Sequence, residues 1–164
     1  MRPRDAHEPH RAASSLELFF DLVFVIAIST AAVQLHHSLT EDHVWEGLIH
    51  FAVVFFAIWW AWMNFTWFAS AFDTDDWFYR TLTLIQMAGV LVLAVGIGPL
   101  AARGDFRTVV AGYVIMRLAL VTQWLRASRG HPGLRRTALR YAAGVIVCQI
   151  LWVAFLWLPD EFVL

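Results

Sequence analysis

Charged side chains lie inside two of the long apolar stretches of this sequence. Glu17 and Asp21 stand one helical turn apart in ELFFDLVF, and Arg117 lies in VIMRLALV. Charges inside a membrane span are costly, and they usually serve ion or proton pathways or pair with one another. With Arg80 near the start of another stretch, these residues predict an intramembrane charged cluster of Glu17, Asp21, Arg117 and Arg80.

The two acids have different alternative explanations. Ser14 and Glu17 fit the S-x-x-E capping box, in which the Glu side chain reaches back to the cap amide. Asp21 lies about 6 Å deeper along the helix axis, where capping no longer explains it. Arg117 is about 13 Å from the nearer end of its span, and its long side chain can bend towards Asp21. We therefore predict an Asp21–Arg117 pair, with a proton-carrying Asp21 as the alternative.

The elements that must position these charges are membrane helices. The chain has 164 residues, of which 60% are hydrophobic, and about 20 apolar residues are needed to span a bilayer. The apolar blocks predict an all-α, polytopic transmembrane helical bundle in a lipid bilayer, after a cytoplasmic tail at 1–15. The five predicted helices cover about residues 16–39, 44–71, 77–100, 106–125 and 138–158.

Further polar and aromatic residues could line a pocket or serve packing. Trp60 and Asn64, one turn apart in the second span, and Gln86 in the third are candidates for pocket lining. Deep tryptophans also fill space between helices, so packing is the alternative. The acidic loop of Asp73, Asp75 and Asp76 precedes the third span, where carboxylates cap free helix amides.

Several functional classes find no support in the sequence. It contains no phosphate-binding glycine loop, nucleophile elbow or zinc motif, and Cys148 is its one cysteine. We therefore predict no catalytic residue, metal site or cofactor. The net charge of −1 gives no reason to expect a nucleic acid partner.

The distribution of arginine predicts the orientation. Positive residues are enriched in cytoplasmic loops. Nine arginines fall in the tail, second loop and fourth loop, against two in the third loop, which predicts a cytoplasmic N-terminus. The two on the opposite side are Arg103 and Arg107.

The sequence resembles a known family at these residues. ELFFDLVF at 17–24, WWAW at 59–62 with FDTDD at 72–76, and RLAL at 117–120 with QWLRA at 123–127 are similar to motifs of the bacterial low temperature requirement A (LtrA) membrane proteins. The resemblance implies a bacterial inner membrane protein connected with growth at low temperature. Members carry a second set of helices, so we expect this chain to be part of a longer unit, completed by a second half or a homo-oligomer.

Three functions remain open at this point. The first is transport coupled to a small ion or a proton through Asp21, Glu17 and Arg117. The second is a structural or accessory role in which the charges fix helix packing and the protein supports the envelope in the cold. The third is a membrane enzyme that acts on a lipid.

Overall fold

Five long α-helices make up the described part of the protein. The computed structural model describes residues 2–3, 14–73, 75–130, 133 and 135–155. All five helices are long and apolar enough to cross a membrane, which confirms the predicted all-α transmembrane bundle. They are α1 (Ser15–Thr40), α2 (Val44–Ala71), α3 (Trp77–Arg103), α4 (Arg107–Gly130) and α5 (Arg135–Phe155).

A short backbone pairing joins the tail to the loop before α3. The two-residue strands β1 (Arg2–Pro3) and β2 (Phe72–Asp73) run antiparallel. The pairing places the start of the chain beside the loop between α2 and α3. It therefore sits at the end of the bundle where α1 and α3 begin.

The central helix of the bundle is α3, which packs against both α1 and α4. In turn, α2 packs on α1, and α5 packs on α4. The lipid-facing sides carry exposed apolar residues such as Val95 and Leu118. Of the described polar residues, those that are buried over nearly their whole surface lie on α3 and α4, the best-enclosed pair of helices.

Glycines allow α3 and α4 to approach closely. A Cβ atom at Gly112 would lie 2.5 Å from both the Gly89 carbonyl oxygen and the Leu93 amide nitrogen. At Gly96, a Cβ atom would lie 2.6 Å from the Val109 amide nitrogen. Small residues at membrane helix interfaces bring backbones together and increase their van der Waals contact. The α3–α4 pair is therefore fixed by backbone-to-backbone packing.

Helices α3 and α4 both continue beyond their predicted ends. The predicted range of α3 ended at about residue 100, yet the helix continues through Pro99 to Arg103 and is capped by Gly104, whose φ is 66°. Inside a bilayer, backbone groups favour continued helical bonding, because no water replaces lost hydrogen bonds. Helix α4 continues past Leu125 because Ala127 and Ser128 are buried. The predicted end of α5, at 156–158, lies outside the described residues.

Candidate functional site

Asp21 lies on the exposed side of α1 and binds a tryptophan of α2. The indole Nε1–H of Trp62 donates a hydrogen bond to Asp21 Oδ1 at 2.7 Å. One residue earlier, Phe20 is buried and stacks on Phe65 with ring centroids 3.7 Å apart. The carboxylate is thus held at the α1–α2 contact, where Trp62 is its one hydrogen-bond partner within the described part of the chain.

Glu17 caps the start of α1. Its Oε2 accepts a hydrogen bond from the Ser14 amide at 3.1 Å, while Ser14 Oγ accepts one from the Glu17 amide at 3.2 Å. This reciprocal arrangement confirms the capping-box interpretation. Glu17 therefore has a local structural task, whatever else it does.

Arg117 is buried near the middle of α4, with only 5% of its surface exposed. Its Nη2 donates a hydrogen bond to the Tyr113 hydroxyl at 2.5 Å, and its guanidinium carbon lies 4.5 Å from the centroid of that ring. Tyr113 is one turn earlier on the same helix. Among the described residues, no carboxylate lies within ion-pair distance of this guanidinium.

The predicted Asp21–Arg117 ion pair is not formed, because the two side chains occupy different environments. Successive helical residues are rotated by about 100°. This rotation places Phe20 and Phe24 in the core and leaves Asp21 on the exposed side of α1. Arg117 of α4, by contrast, is buried inside the bundle. The structure therefore does not assemble Glu17, Asp21, Arg80 and Arg117 into one charged cluster.

Arg80 binds the acidic loop rather than the intramembrane acids. Its Nε and Nη2 donate to the two carboxylate oxygens of Asp75 at 2.7 and 2.6 Å. These hydrogen bonds from Arg80 lower the pKa of Asp75. Both side chains are well exposed, so the pair belongs to the membrane surface.

Asp76 joins the start of α3 to the last turns of α4. Its Oδ1 accepts a hydrogen bond from the Tyr79 amide at 2.9 Å, which confirms its predicted capping role. Arg126 also donates to both Asp76 oxygens, at 2.8 and 2.5 Å. These bonds from Arg126 lower the pKa of Asp76 to about 2. The backbone of Asp73, the third residue of the predicted acidic loop, lies in β2.

The three residues predicted to line a pocket are not brought together. Trp60 is on an exposed face of α2, and Asn64 Nδ2 donates to the Trp60 carbonyl at 2.6 Å within the same helix. Gln86 is instead buried between α3 and α4, where its Nε2 donates to Gln123 Oε1 at 3.0 Å. Trp60 and Asn64 therefore belong to the surface of α2, and Gln86 belongs to an interhelical contact.

A buried polar set between α3 and α4 was not predicted as a unit. Gln123 connects the two helices, because its Nε2 also donates to Thr83 Oγ1 at 3.4 Å. Thr83 in turn donates to the Tyr79 carbonyl at 2.9 Å. A signal was present in the sequence, since Thr83 and Gln86 are three residues apart and share a helix face.

The fold and its buried polar residues define a polytopic α-helical membrane protein. The chain belongs to the family of bacterial low temperature requirement A proteins (LtrA), whose family model matches residues 12–164. This match confirms the family resemblance of the sequence motifs.

A curated relative that the chain matches is considerably longer than the chain itself. The chain is 34% identical over 143 residues to the uncharacterized protein RA0937 of Rhizobium meliloti (strain 1021). The alignment covers 86% of this chain and 34% of that relative, so the chain spans about a third of the length of the curated relative it matches. No solved structure matches the chain.

Proposed function

We propose that this LtrA family membrane protein takes part in ion- or proton-coupled transport. The observation that carries the proposal is the burial of Arg117 without a carboxylate among the described residues. A guanidinium stays charged in proteins, and an uncompensated buried charge is strongly destabilising. Charges at such positions in membrane proteins commonly mark ion and substrate pathways.

Asp21 is the carboxylate that we assign to proton transfer. Among the described residues no arginine forms an ion pair with it, and its hydrogen bond from Trp62 leaves its second oxygen without a described partner. Carboxylates within membrane spans serve as proton relays in pumps and transporters. Glu17, at the start of the same helix, is the acid nearest to the entrance of such a path.

The proposed orientation has a cytoplasmic N-terminus in the bacterial inner membrane. The excess of arginine on the N-terminal side supports this orientation. In this orientation Asp21 lies in the inner leaflet. The family name suggests a contribution to growth at low temperature, and in this proposal ion transport provides that contribution.

A structural or accessory role is the second candidate, and specific contacts favour it. Gln123 links Gln86 to Thr83 across α3 and α4, and Arg126 holds Asp76 at one end of the same pair. A protein built only to brace the membrane would need such contacts. It would not need a buried charge at Arg117.

Proton flux into proteoliposomes separates the two candidates. The whole native protein is reconstituted with a pH-sensitive dye inside, and valinomycin with a potassium gradient sets the membrane potential. We expect protein-dependent proton movement that Asp21→Asn abolishes. The matched control is Asp42→Asn, a loop position with φ 62° where Asn is readily accommodated. Absence of proton flux in the native protein would contradict proton-coupled transport and favour the structural role.

A further inference from the structure

Helices α4 and α5 face each other along matching stripes of residues. Each stripe advances by alternating steps of four and three residues, as in an antiparallel helix pair with a continuous seam. The α4 stripe is Tyr113, Arg117, Leu120, Trp124 and Ala127, and all five are buried. The α5 stripe is Ala138, Ala142, Val145, Gln149 and Trp152.

Two aromatic contacts fix the register of these stripes. Trp124 stacks on Tyr141, the residue before Ala142 of the α5 stripe, with centroids 4.7 Å apart, and Tyr113 meets Trp152 at 5.7 Å. The two contacts are 11 residues apart on each helix, so the register is constant between them.

The register places Arg117 opposite Gln149. Arg117 is four residues from Tyr113, and Gln149 is three residues from Trp152. At about 1.5 Å per residue, Arg117 lies about 6 Å and Gln149 about 4.5 Å from the same ring contact along the helix axes. The polar members of the two stripes therefore occupy the same layer of the bundle.

Both side chains in this layer have unused hydrogen-bonding capacity. The amide nitrogen and oxygen of Gln149 are buried and have no hydrogen-bond partner within the described residues. Arg117 donates to Tyr113 on its own helix, and its other N–H groups have no described acceptor. Buried polar groups without partners are rare, and each asks for an explanation such as a bound ion or water.

We propose that Arg117 and Gln149 together bind a small monovalent anion between α4 and α5. A carboxylate is the best chemical match, because the planar guanidinium can donate two parallel hydrogen bonds to its oxygens and the Gln149 amide can donate a third. Formate, the smallest carboxylate, is therefore the probe for this site. This site deepens the proposed transport function by naming the class of ion.

Ligand-dependent stability of the whole native protein in detergent tests the site. Sodium formate is the probe, and sodium gluconate at equal ionic strength is the bulky reference. We expect formate to raise the unfolding midpoint saturably, beyond any effect of gluconate, since a ligand that binds the folded state stabilises it. Arg117→Met should remove the saturable response.

Gln149→Leu provides the sharper variant. It should weaken formate affinity about tenfold, because it removes one hydrogen-bond donor to a charged group. Its midpoint without formate should equal or exceed that of the native protein, because an unsatisfied buried amide has been removed. Gln34→Leu on α1 is the matched control and should keep native affinity. Absence of a saturable formate response, or equal affinities in the two Leu variants, would overturn the site.

Binding and transport fail in distinguishable ways. Saturable formate binding without proton or formate flux in proteoliposomes would retain this site and contradict transport. Conversely, protein-dependent flux that is unchanged in Gln149→Leu, without saturable formate binding, would retain transport and contradict this site.

Discussion

Asp76 and Arg126 form a bidentate ion pair although they are 50 residues apart in the chain. Asp76 caps α3, while Arg126 lies near the end of α4, with its guanidinium carbon 5.1 Å from the Phe78 ring centroid. The pair therefore fastens one end of the best-packed helix pair. Because both side chains are only partly exposed, this ion pair contributes more to the stability of the fold than a fully exposed pair would.

The Asp76–Arg126 pair predicts an acid-sensitive part of stability. Arg126 lowers the pKa of Asp76 from 3.8 to about 2, so the contribution is complete above about pH 4 and is lost as the pH falls through about 2. Since Asp76 is 38% exposed, solvent screening reduces the contribution to about 1 kcal/mol.

The variant Asp76→Asn isolates that contribution. Asn can also accept the capping hydrogen bond from Tyr79, so the ion pair is the main loss. The free energy of unfolding of this variant in detergent should be about 1 kcal/mol lower than that of the native protein at pH 6, and the difference should disappear towards pH 2. A gap that is the same at both pH values would contradict this assignment.

Gly112→Ala should destabilise the bundle. The added Cβ would meet the backbone of α3 at 2.5 Å, and overpacking of this kind costs about 1–3 kcal/mol. Gly144→Ala in α5 is the matched control, because no atom lies within 4 Å of its Cβ position. Thermal unfolding of both variants in detergent is the measurement, and equal midpoints would argue against close α3–α4 packing.

The Gln86–Gln123 contact predicts non-additive mutations. Either Gln→Leu change removes the Gln86–Gln123 hydrogen bond and leaves the remaining buried amide without that partner, at a cost of about 1 kcal/mol. The double variant should lose less stability than the sum of the two single variants, because no amide of the pair is then stranded. Additive losses in a double-mutant cycle would show that the amides do not interact.

The helical spans were predictable because length and apolarity alone nearly determine them. Helix α2 occupies the predicted 44–71, and the four others overlap their predicted ranges, with α5 described to Phe155. The predicted end of α3 at about residue 100 was too early. The helix continues through Pro99 to Arg103, because within a bilayer lost backbone hydrogen bonds cannot be replaced by bonds to water.

The partners of the charged residues were harder to predict. Depth in the membrane suggested an Asp21–Arg117 pair, but depth does not determine which way each helix is rotated. The rotation of α1 directs Asp21 to Trp62, and the rotation of α4 places Arg117 on the stripe that faces α5. The opposing stripe on α5, with Gln149 in its fourth position, was visible in the spacing of the sequence. Its pairing with α4 required the two ring contacts.

The orientation predicts which loops a thiol reagent can reach. In a Cys148→Ser background, Glu41→Cys in the first loop should react with a membrane-impermeant maleimide on intact cells. Gly130→Cys, at the arginine-rich end of α4, should react only after the cells are opened. Labelling of Gly130→Cys on intact cells would reverse the proposed topology.

Potential-driven proton flux through Arg117→Met protein tests the central claim most directly. Met approximates the apolar length of Arg without its charge, and replacement of buried charges by apolar groups is often neutral or stabilising. We predict a native-like unfolding midpoint together with loss of flux, while Arg107→Met, at the exposed start of the same helix, keeps native flux. Native flux through Arg117→Met protein would contradict a transport role for the buried guanidinium.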